Sequence, residues 1–232
     1  MSEVIKKLQN LVIILGAFGS GKTELALNLA LARAKSGADG ANDSLLIDLD
    51  IVNPYFRSSS QRTALEAAGV RLVSPRYAMS GVDIPSLMPE VTQAFEIGAQ
   101  AVIDVGGDEI GATALGRYHD KLADLPFDAL FVVNALRPMT NTPEGVLAVL
   151  ERVTAKARIS PTMLVNNTNL QDGTTPEDVL KGDALLAEVS ARCGIPAGMT
   201  ACRAALLSCL PERLRESAFA VTRHLRPEWE TP

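Results

Sequence analysis

Short apolar runs recur along the chain, and several of them close in glycine, aspartate or asparagine. These runs are Leu11 to Leu15 (LVIIL, rich in β-branched residues), Ser44 to Leu49 (SLLIDL), Val70 to Ser74, Ala101 to Val105 (AVIDV), Phe127 to Asn134 (FDALFVVN) and Thr162 to Val165. Runs of this kind predict strands buried on both faces. Ala197 to Ala201 predicts a seventh. Helical segments separate them. Glu24 to Ala34 is rich in Ala and Leu, both strong helix formers. Ser60 to Ala68, Glu90 to Ile97 and Gly111 to Leu122 read as further helices. Thr142-Pro143-Glu144 and Thr175-Pro176-Glu177-Asp178 each place a capping Thr before Pro at the first helical position, which starts helices running to about Ala157 and Cys193. Glu212 to Leu225 predicts a last helix, with Leu214, Ala218, Val221 and Leu225 on one face. Residues 1–10 read as a polar lead-in. Strands alternating with helices predict an α/β fold: three α/β/α layers around a mainly parallel sheet of about seven strands. The whole of 1–232 reads as one domain, with a core over about 11–210 and a C-terminal helix and tail over 211–232.

The first apolar run leads into Gly16-Ala17-Phe18-Gly19-Ser20-Gly21-Lys22-Thr23, which matches G-x-x-x-x-G-K-[ST] and then enters a helix at Glu24. Strand, glycine turn and helix form the context in which this motif binds phosphate. The glycines permit positive φ, so successive N–H groups can converge on an anion, and the helix N-terminus adds partial positive charge. In this arrangement Lys22 reaches the β- and γ-phosphates, and the Thr23 hydroxyl ligates Mg²⁺. The spacing therefore predicts a nucleotide held by residues 16–24 of the loop and helix start.

Three further strand ends carry chemistry. Asp104 closes the AVIDV run and precedes Gly107 as D-x-x-G. A strand-end carboxylate beside such a loop holds Mg²⁺, usually through water, and Gly107 can offer its N–H to a γ-phosphate. Asp48 and Asp50 follow the second run. Their period-two spacing puts both carboxylates on one side, with Asp48 assigned to the metal shell and Asp50 to orienting the attacking water. Asn166-Asn167-Thr168-Asn169 ends the sixth run, where a base-reading loop belongs. Asn169 stands at the Asp position of the guanine-reading N-K-x-D pattern, and an amide cannot present the two acceptors that guanine N1 and N2 need. ATP with Mg²⁺ is the expected ligand. Arg57, Arg62 and Arg117 lie near loops but read as surface arginines. The long irregular stretch from Pro75 to Pro89 reads as a functional loop.

Net charge is −5, which argues against a general nucleic-acid surface. Residues 1–10 lack the apolar core of a signal peptide, and no apolar run approaches the roughly 20 residues of a spanning helix. The expected location is cytoplasmic. Cys193, Cys202 and Cys209 form no C-x-x-C pair and read as buried free thiols.

With these residues in place, the chain resembles the MinD/ParA/CobQ-CobB superfamily of SIMIBI-class P-loop ATPases over roughly residues 11–210. The resemblance rests on GAFGSGKT, on IDLD before a Pro-containing loop, on DVGGD and on the VNN strand end. It implies sheet order 3-2-4-1-5-6-7 and a nucleotide-dependent homodimer whose ATP hydrolysis drives a protein partner. Lys22 and Asp50 would be its catalytic residues, and Asn166 or Asn167 would read the adenine. Many members carry a lysine at the second position of the loop that reaches across the dimer; Ala17 stands there, followed by Phe18. No cysteine precedes Cys193, so an iron–sulfur carrier is excluded. Three readings follow: an ATP-hydrolysing switch acting on a protein, for example in metallocentre or cofactor-enzyme maturation; a small-molecule kinase or ligase of the cobyrinate amidase or dethiobiotin synthetase type; and a partitioning or positioning ATPase. Acidic charge and the balanced charges of the last helix weigh against DNA or membrane as the partner.

Overall fold

A strand whose side chains are apolar on both faces must lie between two helical layers. In the computed structural model, which describes residues 3–35, 44–50, 62–73, 89–96 and 98–225, β1 (Leu11–Gly16) is buried along its whole length. It lies near the middle of an eight-stranded sheet of order β3-β2-β4-β1-β5-β6-β7-β8. The other strands are β2 (Ser44–Asp48), β3 (Val70–Val73), β4 (Ala101–Asp104), β5 (Phe127–Val133), β6 (Met163–Asn166), β7 (Ala197–Arg203) and β8 (Ala218–Val221). Every pairing is parallel. The three-layer α/β/α architecture is as the alternation predicts, and the first seven strands take the order that the resemblance implies.

Period-two alternation sorts the strands into two cores. Leu11, Ile13 and Leu15 face one layer with Leu45, Ile47, Ala101 and Ile103. That layer contains α4 (Pro89–Thr92), α5 (Glu109–Gly116), α6 (His119–Leu122), α7 (Pro143–Ala157) and α8 (Pro176–Cys193). Val12 and Ile14 face the other with Leu46 and Val102, under α1 (Glu3–Lys6), α2 (Lys22–Ala34) and α3 (Arg62–Ala67). Both Thr-Pro starts are caps as expected: Thr142 accepts from Gly145 N–H, and Thr175 forms a full capping box with Asp178.

Three expectations are corrected. The last helix does not run from Glu212 to Leu225. It stops at Glu216 as α9 (Glu212–Glu216), and the chain turns into β8. A helix with Leu214, Ala218 and Val221 inward would leave Phe219 off its apolar face; as a strand the segment buries Phe219 in the α2-side core. The helix expected over Gly111 to Leu122 is two helices, α5 and α6, because the chain turns at Tyr118 to pack its ring against Phe95, centroids 5.4 Å apart. The lead-in is not wholly polar, since α1 buries Val4 and Ile5. The turn-rich stretch 37–43, residues 53–57 of the Pro-containing loop after Asp50, residues 75–88 of the Pro75–Pro89 loop, and the tail 226–232 lie outside the described residues.

Helix α8 approaches the end of β6 closely at Gly182. A Cβ there would collide with the side-chain oxygens of Thr168 and Asn166. Gly182→Ala should therefore lose about 1–3 kcal/mol through overpacking, although Ala is the better helix former by about 1 kcal/mol. Urea unfolding of the variant beside wild type measures it, and a gain in stability would mean that the contact relaxes freely.

Candidate functional site

Four adjacent strands, β4, β1, β5 and β6, deliver their C-terminal ends to one edge, and the motif residues gather there. After β1 the backbone takes positive φ at Gly16 (144°), Gly19 (74°) and Gly21 (86°). Gly21 is the N-cap of α2 and supplies no side-chain cap, which leaves the first N–H groups of that helix open to an anion. Lys22 is buried and donates from Nζ to the Ala17 carbonyl at 2.9 Å. Burial pulls its pKa down, while Asp104, then Asp50 and Asp108, hold it up.

The register explains the carboxylates. Asp48 on β2 and Asp104 on β4 are direct partners in parallel strands, so their side chains share a face about 5 Å apart at the backbone. By alternation with Leu46 and Val102, that face is the one covered by α2. Both are buried. Burial, and then the neighbouring Asp48 charge, push the Asp104 carboxyl up to about 7, against the pull of Lys22. The Thr23 hydroxyl faces Asp104, but neither carboxylate oxygen has a partner in full hydrogen-bond geometry. A buried, under-satisfied carboxylate beside the P-loop threonine fits a Mg²⁺ shell, in which water and phosphate supply most ligands. Among the described residues no cluster of three or more His, Cys, Asp or Glu forms a protein cage for a metal. Asp48 also has a local task, since its Oδ1 accepts the Asp50 N–H at 2.9 Å. Asp50 lines the cavity described next and leans over Gly106, whose Cβ would stand 3.4 Å from Asp50 Oδ1.

Gly107 rests directly on the P-loop. A Cβ there would stand 2.6 Å from Lys22 Nζ and 2.7 Å from the N and Cα of Phe18. The next residue, Asp108, caps α5 by accepting the Gly111 N–H. The D-x-x-G segment is thus fixed at its far end by a helix and laid across the phosphate loop at its near end.

A cavity of about 400 Å³ opens from the P-loop, within the range of ordinary ligand pockets. Phe18, Gly19, Gly21, Lys22, Thr23 and Glu24 line it, and Gly16, Ala17 and Ser20 do not. Asp48, Asp104 and Gly107 lie outside its lining. Of the two asparagines assigned to the base, Asn167 lines it and Asn166 does not. Asn166 is turned inward, donating to Val179 O and accepting Thr168 N–H. Asn167 donates to Ser20 O at 2.7 Å, which straps the β6 loop to the P-loop. Asn169 is spent locally, on Asn167 O and the Gln171 N–H. Its backbone is held from β5 by the Asn134 side chain.

Three participants were not anticipated. Arg137, after β5, donates from Nε to Gly19 O at 3.0 Å; the sequence signal was its place at the end of a strand that proved to be β1's neighbour. Arg203 and Arg223 line the far end of the cavity, near Asp172 at 3.9 and 3.0 Å. Arg62 is occupied by Glu66 and Leu72 O, Arg117 is exposed at the end of α5, and Arg57 is outside the described residues. Cys202 is in the cavity wall with its thiol pushed up to about 11 by burial. Contrary to expectation, Cys209 is exposed and Cys193 half-buried.

No family model matches the sequence, and no curated protein matches it. Solved structures do. The chain is similar to the cell division protein FtsY of Thermotoga maritima, with TM-score 0.53 and 18% identity over 94% of this chain and 64% of that one. It is similar to FtsY of Mycoplasma mycoides at TM-score 0.53 and 18% identity, over 84% and 61%. It is also similar to the signal recognition particle receptor FtsY of Elizabethkingia anophelis, at 0.50 and 20%, over 95% and 66%. The shared fold is the three-layer α/β/α fold of P-loop proteins. At such identities the likeness is one of fold, and this chain spans about two thirds or less of the length of those structures. Among the described residues no helix is long and apolar enough to cross a membrane.

The buried acid gives a pH test. The folded pKa of Asp104, about 7, lies above the ordinary aspartate value of 3.8. Its protonated form therefore favours the native state below that value, and the contribution is lost as pH rises through about 7. Asn at this position does not titrate. Without nucleotide or Mg²⁺, the unfolding free energy of wild type minus that of Asp104→Asn should fall by at least about 1 kcal/mol between pH 5 and pH 8. A difference that stays flat in urea titrations would refute the raised pKa.

Proposed function

We propose that the protein is an ATP-binding, ATP-hydrolysing switch of the MinD/ParA/CobQ type that acts on a protein partner. The observation that carries this reading is Gly107 lying on Lys22 and Phe18. A γ-phosphate seated against Lys22 has to meet this segment, so the presence of that phosphate becomes a displacement of residues 106–108 and of α5. Mg²⁺ would be held by Thr23 and, through water, by Asp104, with Asp48 behind it; it would neutralise charge on the β- and γ-phosphates. Lys22 would leave the Ala17 carbonyl for the phosphate oxygens. Asp50 would orient the attacking water, giving ADP and phosphate. ATP is favoured over GTP because the Asn169 amide, already engaged on both sides, offers no pair of acceptors to guanine.

A protein partner is supported by the surface. Among the described residues the exposed large apolar side chains are Phe18, Ile110, Met139 and Leu170, each 50–65% exposed. They follow β1, β4, β5 and β6, four consecutive strands, on the edge that holds the cavity. Apolar side chains gathered at one edge mark an interaction face. A small-molecule enzyme would need its substrate groups in the Pro75–Pro89 loop and has no such claim on these four. A DNA or membrane partner is disfavoured by the net charge of −5.

The test is calorimetry with Mg-ATP, Mg-ADP and Mg-GTP, followed by light-scattering mass in each state. Lys22→Ala should weaken ATP by roughly 10–100-fold, the scale of a lost charge-assisted hydrogen bond. Full affinity in the variant would remove the basis of the reading. A dimer formed only with Mg-ATP would add the homodimer that the resemblance implies. A second expectation concerns the face: Met139→Asp should leave ATP affinity within about threefold, because Met139 is exposed and lies outside the cavity lining, and should abolish any ATP-dependent rise in mass. An unchanged mass increase would take Met139 out of the interface.

A further inference from the structure

We infer that Glu24 is a positioning residue that makes the segment 222–225 one wall of the nucleotide site, so that seating of the nucleoside end and docking of this segment are a single event. The inference rests on the nucleotide reading above.

Glu24 follows Thr23, and a carboxylate one residue from a phosphate site is an electrostatic disadvantage. Its two oxygens are used elsewhere. One accepts the His224 N–H at 2.6 Å and the other the Leu225 N–H at 3.1 Å. Burial raises the pKa of this carboxyl, while those two N–H groups pull it back. One turn along α2, Asn28 treats Thr222 as a strand neighbour would: it accepts the Thr222 N–H and donates to the Thr222 carbonyl, both at 2.8 Å. The same amide donates to Glu24 O. Two side chains of the P-loop helix thus replace the next β-strand along residues 222–225 and satisfy backbone groups that a sheet edge leaves open.

The pinned segment forms the end of the cavity away from the Mg²⁺ acids. Thr222, Arg223 and Leu225 line it, and Arg223 reaches across to Asp172 after β6 at 3.0 Å. The wall therefore joins the P-loop helix on one side to the base-side loop on the other. Arg203 stands beside it, donating to Thr174 O. Planar guanidinium groups stack on flat heteroaromatic rings, so the chemistry recognised at this end is a purine ring. Coupling of this kind is reciprocal: a nucleoside that seats against the wall must also hold the wall in place.

Charge and position make opposite forecasts for Glu24→Ala. Removing a negative charge beside the P-loop strengthens polyphosphate binding. Releasing the wall weakens whatever contacts the base. Calorimetry with inorganic tripolyphosphate and with Mg-ADP separates the two. Glu24→Ala should bind tripolyphosphate as tightly as wild type or tighter, and Mg-ADP at least about tenfold more weakly. Glu24→Gln, which keeps an acceptor, should recover part of the loss, and Asn28→Ala should show the same split. In wild type, saturating Mg-ADP should slow tryptic cleavage after Arg223, and tripolyphosphate should not. The inference is overturned if Mg-ADP affinity survives Glu24→Ala, if both ligands weaken together, or if Mg-ADP leaves cleavage after Arg223 unchanged. Wild type that binds tripolyphosphate but no nucleotide would instead sink the proposed function, and the inference with it.

Discussion

Two carboxylates face each other across adjacent parallel strands under the phosphate loop, and much of the site follows from keeping them there. Asp48 and Asp104 are fixed by backbone register, so they cannot separate without breaking the sheet. Buried charges of like sign repel strongly where water is excluded. The structure answers with Lys22, with the Thr23 hydroxyl and with the Asp50 N–H. Each of these groups also has work at a nucleotide site. Under the proposed function a divalent cation beside Asp104 would relieve this repulsion. Buried acids with perturbed pKa values concentrate at functional sites.

The second constraint is the parallel sheet itself. With all eight strands pointing one way, every strand end that carries chemistry arrives at the same edge. Loops that are remote in sequence become neighbours. Asn134 after β5 fastens Asn169 after β6, Asn167 fastens Ser20, and Arg137 fastens Gly19. The P-loop is therefore braced from two adjacent strands, while the D-x-x-G segment lies on it from a third. Movement at Gly107 does not need the brace to yield.

Much of this was legible in the sequence because phosphate chemistry is local. Residues 16–23, Asp104 and Gly107 stand at fixed offsets from apolar runs, and the backbone does the rest. What was not legible depends on which strands lie side by side. Asn166 and Asn167 are neighbours of the same type, yet one turns toward α8 and the other toward the P-loop; only the alternation of β6 separates them. Arg137 carries no motif. The β8 error had a visible signal: Phe219 was apolar and off the face that the helix pattern required. Glu24 could be placed at the site from its position, but its partners are some two hundred residues away in the chain, at 224 and 225.

The edge strand β8 has a practical consequence. Its exit runs along the first turns of α2 and ends at Leu225 against Glu24. Leu225 itself lines the cavity, so a small environment-sensitive fluorophore carried by a cysteine at 225 would report on whatever enters it, and a bulky label at that position would obstruct it.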